Sequence, residues 1–461
     1  MTSNRSESLE YTITDTHMKV LMLGWEYPPH ISGGLGTACE GLTRALARHQ
    51  VDIRFVVPHL HGDENVSHMT LLDPVPMSAV QISENVTNLI KRTDASVSTE
   101  RIDAFLMPYW TEEVFEQKLK TYVTAKERIE KSSSCNTRTE FHTSSERNQV
   151  TFASDNYGNN IFSEVKRFTS NVISSVSADT SFDLIHAHDW MTYPAGVALA
   201  EMTGKPLVVH VHSLEYDRSG STTNPEIDRI ERMGVARATK VIAVSHYTKS
   251  ILEREHGTPS EKIAVVHNGV YARKVKESYR KSDWPSKTVL FLGRVTFQKG
   301  PDYFVEAAAK VIPHVPDVVF VMAGSGDMLE RMIARVKELG ISENFQFPGF
   351  VRGAELERLL SLADLYVMPS VSEPFGISAL EAISFETPAI ISRQSGVSEV
   401  LDHALKVDFW DTDRLADLII NGLIHEELRA DMIVMAQEEV KRLRWEASAA
   451  RTKSVYSQLA C

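Results

Sequence analysis

Between residues 18 and 58 the chain passes through an apolar run, a glycine cluster, an amphipathic helix and a second apolar run, and the order restarts at residue 288. Met18-Lys19-Val20-Leu21-Met22-Leu23-Gly24 leads to Pro28-Pro29 and then to Ser32-Gly33-Gly34-Leu35-Gly36. A helix through Leu42, Ala45 and Leu46 follows, and then the run 51–58. Runs that are apolar without alternation are buried on both faces, which calls for helices on both sides of a parallel sheet. Strand, glycine turn, helix, strand is the opening of a doubly wound α/β unit. The second start, Thr288-Val289-Leu290-Phe291-Leu292-Gly293, predicts a second such unit.

Within that second unit the apolar run 364–370 ends in Val371-Ser372-Glu373-Pro374-Phe375-Gly376, and helix formers run from Ile377 to Ala382. Pro374 and Gly376 therefore stand where a strand hands over to a helix. A glycine there lets a ligand approach the free N–H groups at the helix start, a natural anion site. Glu373 lies just outside the helix and Glu381 lies on it, so two carboxylates bracket a spot that attracts phosphate. Taken alone, Glu373 reads equally as a cap and Glu381 as a solvated helix face.

Arg294-Val295-Thr296-Phe297-Gln298-Lys299-Gly300 puts two cations at another strand-to-helix turn, an arrangement that favours diphosphate. In the first unit, the strand through 182–190 carries His186, His188 and Asp189 at its carboxyl end, where open α/β sheets bind ligands. Alternation puts His186 and His188 on one side. A metal pair is set aside because no third ligand lies nearby in sequence. The strand 206–212 ends in a polar tail with His212, Tyr216 and Asp217, which reads as acceptor contacts or as a turn. Asn268-Gly269 closes the unit. Asp411-Thr412-Asp413 resembles a metal-holding Asp-x-Asp, but before an apolar-periodic helix these residues read as N-capping.

At 461 residues the length suits two or three domains, and 43% hydrophobic with 24% charged residues is ordinary for a globular chain. A net charge of −12, from 49 basic and 61 acidic residues, argues against a nucleic-acid partner. Cys39, Cys135 and Cys461 are odd in number and far apart, so the expectation is a reducing cytoplasm and no disulfide framework. No run approaches the ~20 apolar residues of a membrane span.

The string from Glu373 to Glu381 resembles the Glu–seven residues–Glu signature of retaining glycosyltransferases of the GT-B fold, especially glycosyltransferase family 4 and its glycogen and starch synthase relatives. H-A-H-D-W at 186–190, G-R-V-T-F-Q-K-G at 293–300 and the glycine loop are similar to that family's strings and come in its order. The resemblance implies two Rossmann-like domains facing a central cleft. Their expected bounds are 18–272 for the acceptor domain and 273–440 for the donor domain. A leader over 1–17, a polar insertion over about 132–160 and a terminal helix over 441–461 crossing back to the first domain complete the expectation.

By the same resemblance Glu373 contacts donor sugar hydroxyls, Glu381 the ribose, Arg294 and Lys299 the leaving diphosphate, and His188 the reacting carbon. Gly34, Gly36, Asn268, Phe375, Gly376 and Ile377 complete the donor site. The implied activity is hexosyl, and specifically glucosyl, transfer from ADP- or UDP-glucose as co-substrate to an α-glucan, with no cofactor and no metal. Three places depart from the glycogen synthase pattern: Ile31 or Ser32 stands where a Lys usually precedes the glycine loop, Thr37 where an Asp is usual after it, and Met191 where a His often follows the Trp. A hexosyltransferase making a disaccharide, glycolipid or glycosylated metabolite is the first alternative. A sugar-nucleotide epimerase and a non-catalytic nucleotide-sugar-binding subunit are the others.

Overall fold

The structure, a computed structural model, describes residues 17–30, 33–72, 74, 161–176, 180–271 and 287–459. Most of the leader, the insertion over 132–160 and the domain boundary at 272/273 lie outside the described residues.

The first domain is built on seven parallel strands: β1 (Met18–Leu23), β2 (Val51–Val56), β3 (Thr70–Leu72), β4 (Leu184–His188), β5 (Leu207–Val211), β6 (Lys240–Ala243) and β7 (Ile263–Val265). Their order is β3-β2-β1-β4-β5-β6-β7. Helices α1 (Gly34–Arg48), α2 (Ile161–Val176), α3 (Tyr193–Thr203), α4 (Glu215–Ser219), α5 (Pro225–Arg237) and α6 (His246–His256) connect or follow them. β4 and β5 are buried at every position, the consequence of helices on both faces.

The second domain repeats the design with β8 (Lys287–Leu292), β9 (Val318–Ala323), β10 (Phe345–Gly349), β11 (Leu365–Met368), β12 (Ala389–Ser392) and β13 (Leu405–Val407), in the order β10-β9-β8-β11-β12-β13. Its helices are α7 (Pro301–Val311), α8 (Leu329–Glu338), α9 (Gly353–Leu362), α10 (Ile377–Ser384), α11 (Thr412–Ile424) and α12 (Glu426–Val440). In each sheet the strand order reverses once, between β1 and β4 and between β8 and β11, and such switch points are where these sheets bind ligands.

The terminal stretch is two helices, with a break at residues 441–444 between α12 and α13 (Trp445–Ser457). At the break Val270 N–H donates to the Leu443 carbonyl (2.9 Å). Beyond it α13 lies on α1 of the first domain. The Trp445 ring fills the space above Gly41, where an added Cβ would come within 2.1 Å of it, so no larger residue fits there unless the ring moves. Tyr456 is fully buried and its hydroxyl meets His186 Nδ1 at 2.5 Å. Glu446 pairs with Arg48. Among the described residues no helix is long and apolar enough to cross a membrane.

Candidate active site

The two switch points open on one cavity of about 510 Å³ lined by both domains, within the 300–1,000 Å³ usual for small-molecule sites. β1 leads to Glu26 and the Gly33-Gly34 turn, β4 to Asp189, and β5 to His212 and Ser213. From the opposite side β8 leads to Arg294, β9 to Gly324 and Ser325, and β11 to residues 373–378.

Two helices begin on this cavity, α1 after Gly33 and α10 after Gly376. Neither start is capped by its own N-cap side chain and neither has an acidic residue in its first turn. At α1 the Glu26 carboxylate takes the Gly36 N–H, while at α10 the first-turn N–H groups and the positive dipole end are left for an anion. Gly376 has φ +112°, a backbone conformation that favours glycine, and an added Cβ would be tight against Val397 (3.0 Å) and Met368 (3.1 Å).

Lys299 follows a short 3₁₀ turn after β8 and ion-pairs with Glu373. Glu373 is 6% exposed and also accepts from the Ser370 hydroxyl (3.3 Å). Its backbone is pinned by Glu373 N–H to the Gln394 carbonyl and by Gly396 N–H to its own carbonyl, both 2.9 Å. Arg294 donates to Gln298 Oε1 (3.0 Å). Glu381 reaches the cavity from α10. Two cations and two helix starts therefore make an anion site in a protein of net charge −12.

On the first-domain wall Glu26 accepts from Gly36 N–H (3.1 Å), which holds the glycine turn in place. Asp189 takes the left-handed φ of +58° that Asp tolerates better than most residues. Its Oδ1 accepts from His212 N–H (2.7 Å) and Ser213 N–H (3.4 Å). Burial pushes the Asp189 carboxyl up to about 7, although those N–H groups pull the other way. Behind His212 of the wall, the rings of His186, His188 and His210 pack in a cluster with it; burial holds His186 and His212 down at about 3 and drives His188 and His210 well below the usual imidazole range.

The domains are tied beside Glu373. Ser372 donates to Asp217 Oδ1 (2.6 Å), Tyr247 OH lies 2.9 Å from Ser372 Oγ, and Ser245 donates to the Pro374 carbonyl (2.6 Å). The Glu399 carboxylate caps the start of α6 from the other domain, accepting from His246 N–H (2.9 Å) and Tyr247 N–H (2.5 Å).

Of the residues singled out in the sequence, Gly34, His212, Asn268, Arg294, Lys299, Glu373, Phe375, Gly376, Ile377 and Glu381 share the cavity. Gly36 sits behind it on Glu26. His188 has no exposure, and the imidazole on the wall is His212, whose Nε2 is 2.9 Å from His188 Nδ1. Tyr216 and Asp217 do not line the cavity. A capping box turns Asp217 inward, with Oδ2 accepting from Leu214 N–H (2.7 Å), and Tyr216 packs toward His256.

The reason for setting aside a metal at His186 and His188 also fails in space, because β5 brings His210 to them. Asp411 accepts from Arg414 N–H (2.9 Å) as an N-cap and Asp413 pairs with Lys310, away from the cavity. Sequence reading missed Glu26, Ser372, Tyr247 and the Phe350-Val351-Arg352 rim. A carboxylate between a strand and its glycine turn was the available signal for Glu26.

Residues 19–265 match the family described as the starch synthase catalytic domain, and residues 275–439 match the group 1 glycosyl transferases. An uncharacterized glycosyltransferase of Methanocaldococcus jannaschii is 28% identical over 460 residues, spanning 95% of this chain and 98% of that protein. The glycogen synthase of Mycobacterium tuberculosis is 24% identical over 390 residues, 83% of this chain and 80% of that one. Among solved structures, sucrose-phosphate synthase from Thermosynechococcus elongatus superposes with a TM-score of 0.69 at 18% identity, covering 96% of this chain and 99% of its own. Anabaena HepE in complex with UDP and glucose gives 0.65 at 16%, covering 96% and 100%. Both likenesses are to the GT-B fold.

Proposed function

The chain belongs to the group 1 glycosyltransferases of GT-B fold with a starch-synthase-type catalytic domain, and from that premise we propose that it moves a glucosyl group from ADP- or UDP-glucose to an acceptor hydroxyl with retention of configuration. The observation that carries this reading is the pair of helix starts, one from each domain, opening on one cavity beside Arg294 and Lys299. A diphosphate placed there meets four positive elements. Glu373 and Glu381, on either side of Gly376, then face the sugar hydroxyls and the ribose. The UDP and glucose of the HepE complex support a donor of this class.

The chemistry is a front-face displacement. The bond from the sugar's anomeric carbon to the diphosphate oxygen breaks, and its electron pair leaves with the diphosphate. Arg294, Lys299 and the two helix starts stabilise that charge where it develops. The acceptor oxygen bonds to the anomeric carbon on the same face, and its proton passes to the departing phosphate oxygen. His212 and Asp189 stand on the wall the acceptor faces, and His188 positions His212 from behind. Likeness to glycogen synthase supports an α-glucan acceptor. Of the departures from that pattern among the described residues, Thr37 lines the cavity whereas Met191 is buried in the core, so of these two Thr37 is the one able to alter acceptor handling.

Nucleotide release from a panel of ADP-, UDP- and GDP-sugars, with and without maltooligosaccharide, tests this reading. Acceptor-dependent release from ADP- or UDP-glucose with an elongated product is expected. Release that ignores every acceptor, or a free isomer of the sugar nucleotide, would contradict it.

A further inference from the structure

The histidines behind the cavity wall hold a feature that glycosyl transfer does not use. The parallel register pairs His188 on β4 with His210 on β5, and His186 lies on the same face two residues earlier. One ring nitrogen from each of the three lies within 4.8 Å of the others. His186 Nε2, His188 Nε2 and both nitrogens of His210 are buried without a hydrogen-bond partner. Buried polar atoms are nearly always satisfied, so four orphans on three adjacent rings point to something that belongs between them.

We propose that His186, His188 and His210 form a buried zinc site inside the first domain. Three neutral imidazoles are an established zinc donor set. The free atoms are the right ones. His186 Nδ1 is occupied by the Tyr456 hydroxyl (2.5 Å) and His188 Nδ1 by His212 Nε2 (2.9 Å), which leaves both Nε2 lone pairs for a metal. Ligating histidines commonly spend their second nitrogen in this way. Zinc–nitrogen bonds of about 2.0–2.1 Å in tetrahedral geometry set the nitrogens about 3.4 Å apart, so the rings close by at most about 1.4 Å from their present spacing.

The consequence reaches the cavity. A metal on His188 Nε2 fixes the proton on Nδ1, which then donates to His212 Nε2 and sets the ring on the wall. It also ties β4 to β5 and, through Tyr456, to the crossing helix. The proposal stands apart from the choice of donor or acceptor.

The test uses the full chain, its metal content by mass spectrometry, its thermal midpoint, and the visible spectrum after cobalt replacement. Wild type is expected to keep about one zinc per chain through dialysis and, with cobalt, to show the intense bands of a four-coordinate site. His210→Leu supplies the discriminating sign. Without a metal it removes two unsatisfied nitrogens from the core and leaves the midpoint unchanged or higher. With a metal it loses the zinc and lowers the midpoint. Should His210→Leu not yield folded protein, His210→Gln read by zinc content alone makes the same distinction. Zinc that survives both substitutions, or metal-free wild type that takes up no cobalt while His210→Leu melts no lower, would overturn the proposal.

Discussion

Ser372 of the second domain donates a 2.6 Å hydrogen bond to Asp217 of the first, one residue before the cavity carboxylate Glu373. Domain closure and the placement of Glu373 are therefore mechanically linked, and hinge closure around ligand is the usual behaviour of two-domain clefts. Ser372→Ala removes the link without touching the cavity. We expect turnover to fall about tenfold, or ~1.4 kcal/mol, with the melting temperature little changed. Steady-state kinetics beside a thermal melt measures both, and wild-type turnover in the folded variant would mean that the link is passive.

Glu373→Gln and Lys299→Ala each remove one half of the ion pair on the cavity wall. In the proposed reaction both groups act where charge develops in the transition state, so turnover should drop by two or more orders of magnitude. Circular dichroism should remain that of the native fold. If either folded variant kept near-native turnover, the proposed site would be misplaced.

Glu381 is the fifth residue of α10, just over one turn in, and reaches the cavity's edge away from the bond being broken. Glu381→Ala is expected to weaken donor binding by about 1–3 kcal/mol with a smaller change in turnover. Titration calorimetry with ADP- and UDP-glucose reads this directly, and unchanged donor affinity would remove the ribose assignment.

Glu399 predicts a pH dependence. Burial alone raises its carboxyl, but the His267 ring and the N–H groups of His246 and Tyr247 outweigh that and hold it below its ordinary 4.5. A carboxyl lowered in the folded state contributes stability that is complete above the unfolded value and is lost as pH falls through the folded one. Glu399→Gln should therefore cost about 1–2 kcal/mol at neutral pH, and the gap to wild type should narrow below about pH 4.5. Denaturant midpoints of both proteins from pH 7 to 3.5 supply the comparison, and a gap independent of pH would contradict the capping role.

The two parallel-sheet units were legible because apolar runs and glycine turns are local signals, whereas the strand order that makes the switch points was not. The cavity residues within 293–300 and 373–381 were legible for the same reason, since each string lies at one strand-to-helix turn, whereas the rim at 350–352 carries no such signal. What escaped depends on juxtaposition. His210 stands 22 residues beyond His188, and only parallel pairing of β4 with β5 makes them neighbours. The inward turn of Asp217 is set by a four-residue capping box together with a hydroxyl from the other domain. Tyr456 meets His186 across 270 residues, through a helix that returns to the first domain after its strands are complete.

The central claim, retaining transfer of a glucosyl group in the cleft between the domains, is tested most directly by the stereochemistry of the product. Proton NMR of the material formed from α-linked ADP- or UDP-glucose and a maltooligosaccharide reports the configuration at the new anomeric centre. The account predicts a new α-glycosidic signal that depends on acceptor and is lost in Glu373→Gln. A β-linked product would contradict front-face displacement, and free glucose or an isomerised nucleotide sugar with no new linkage would contradict transfer itself.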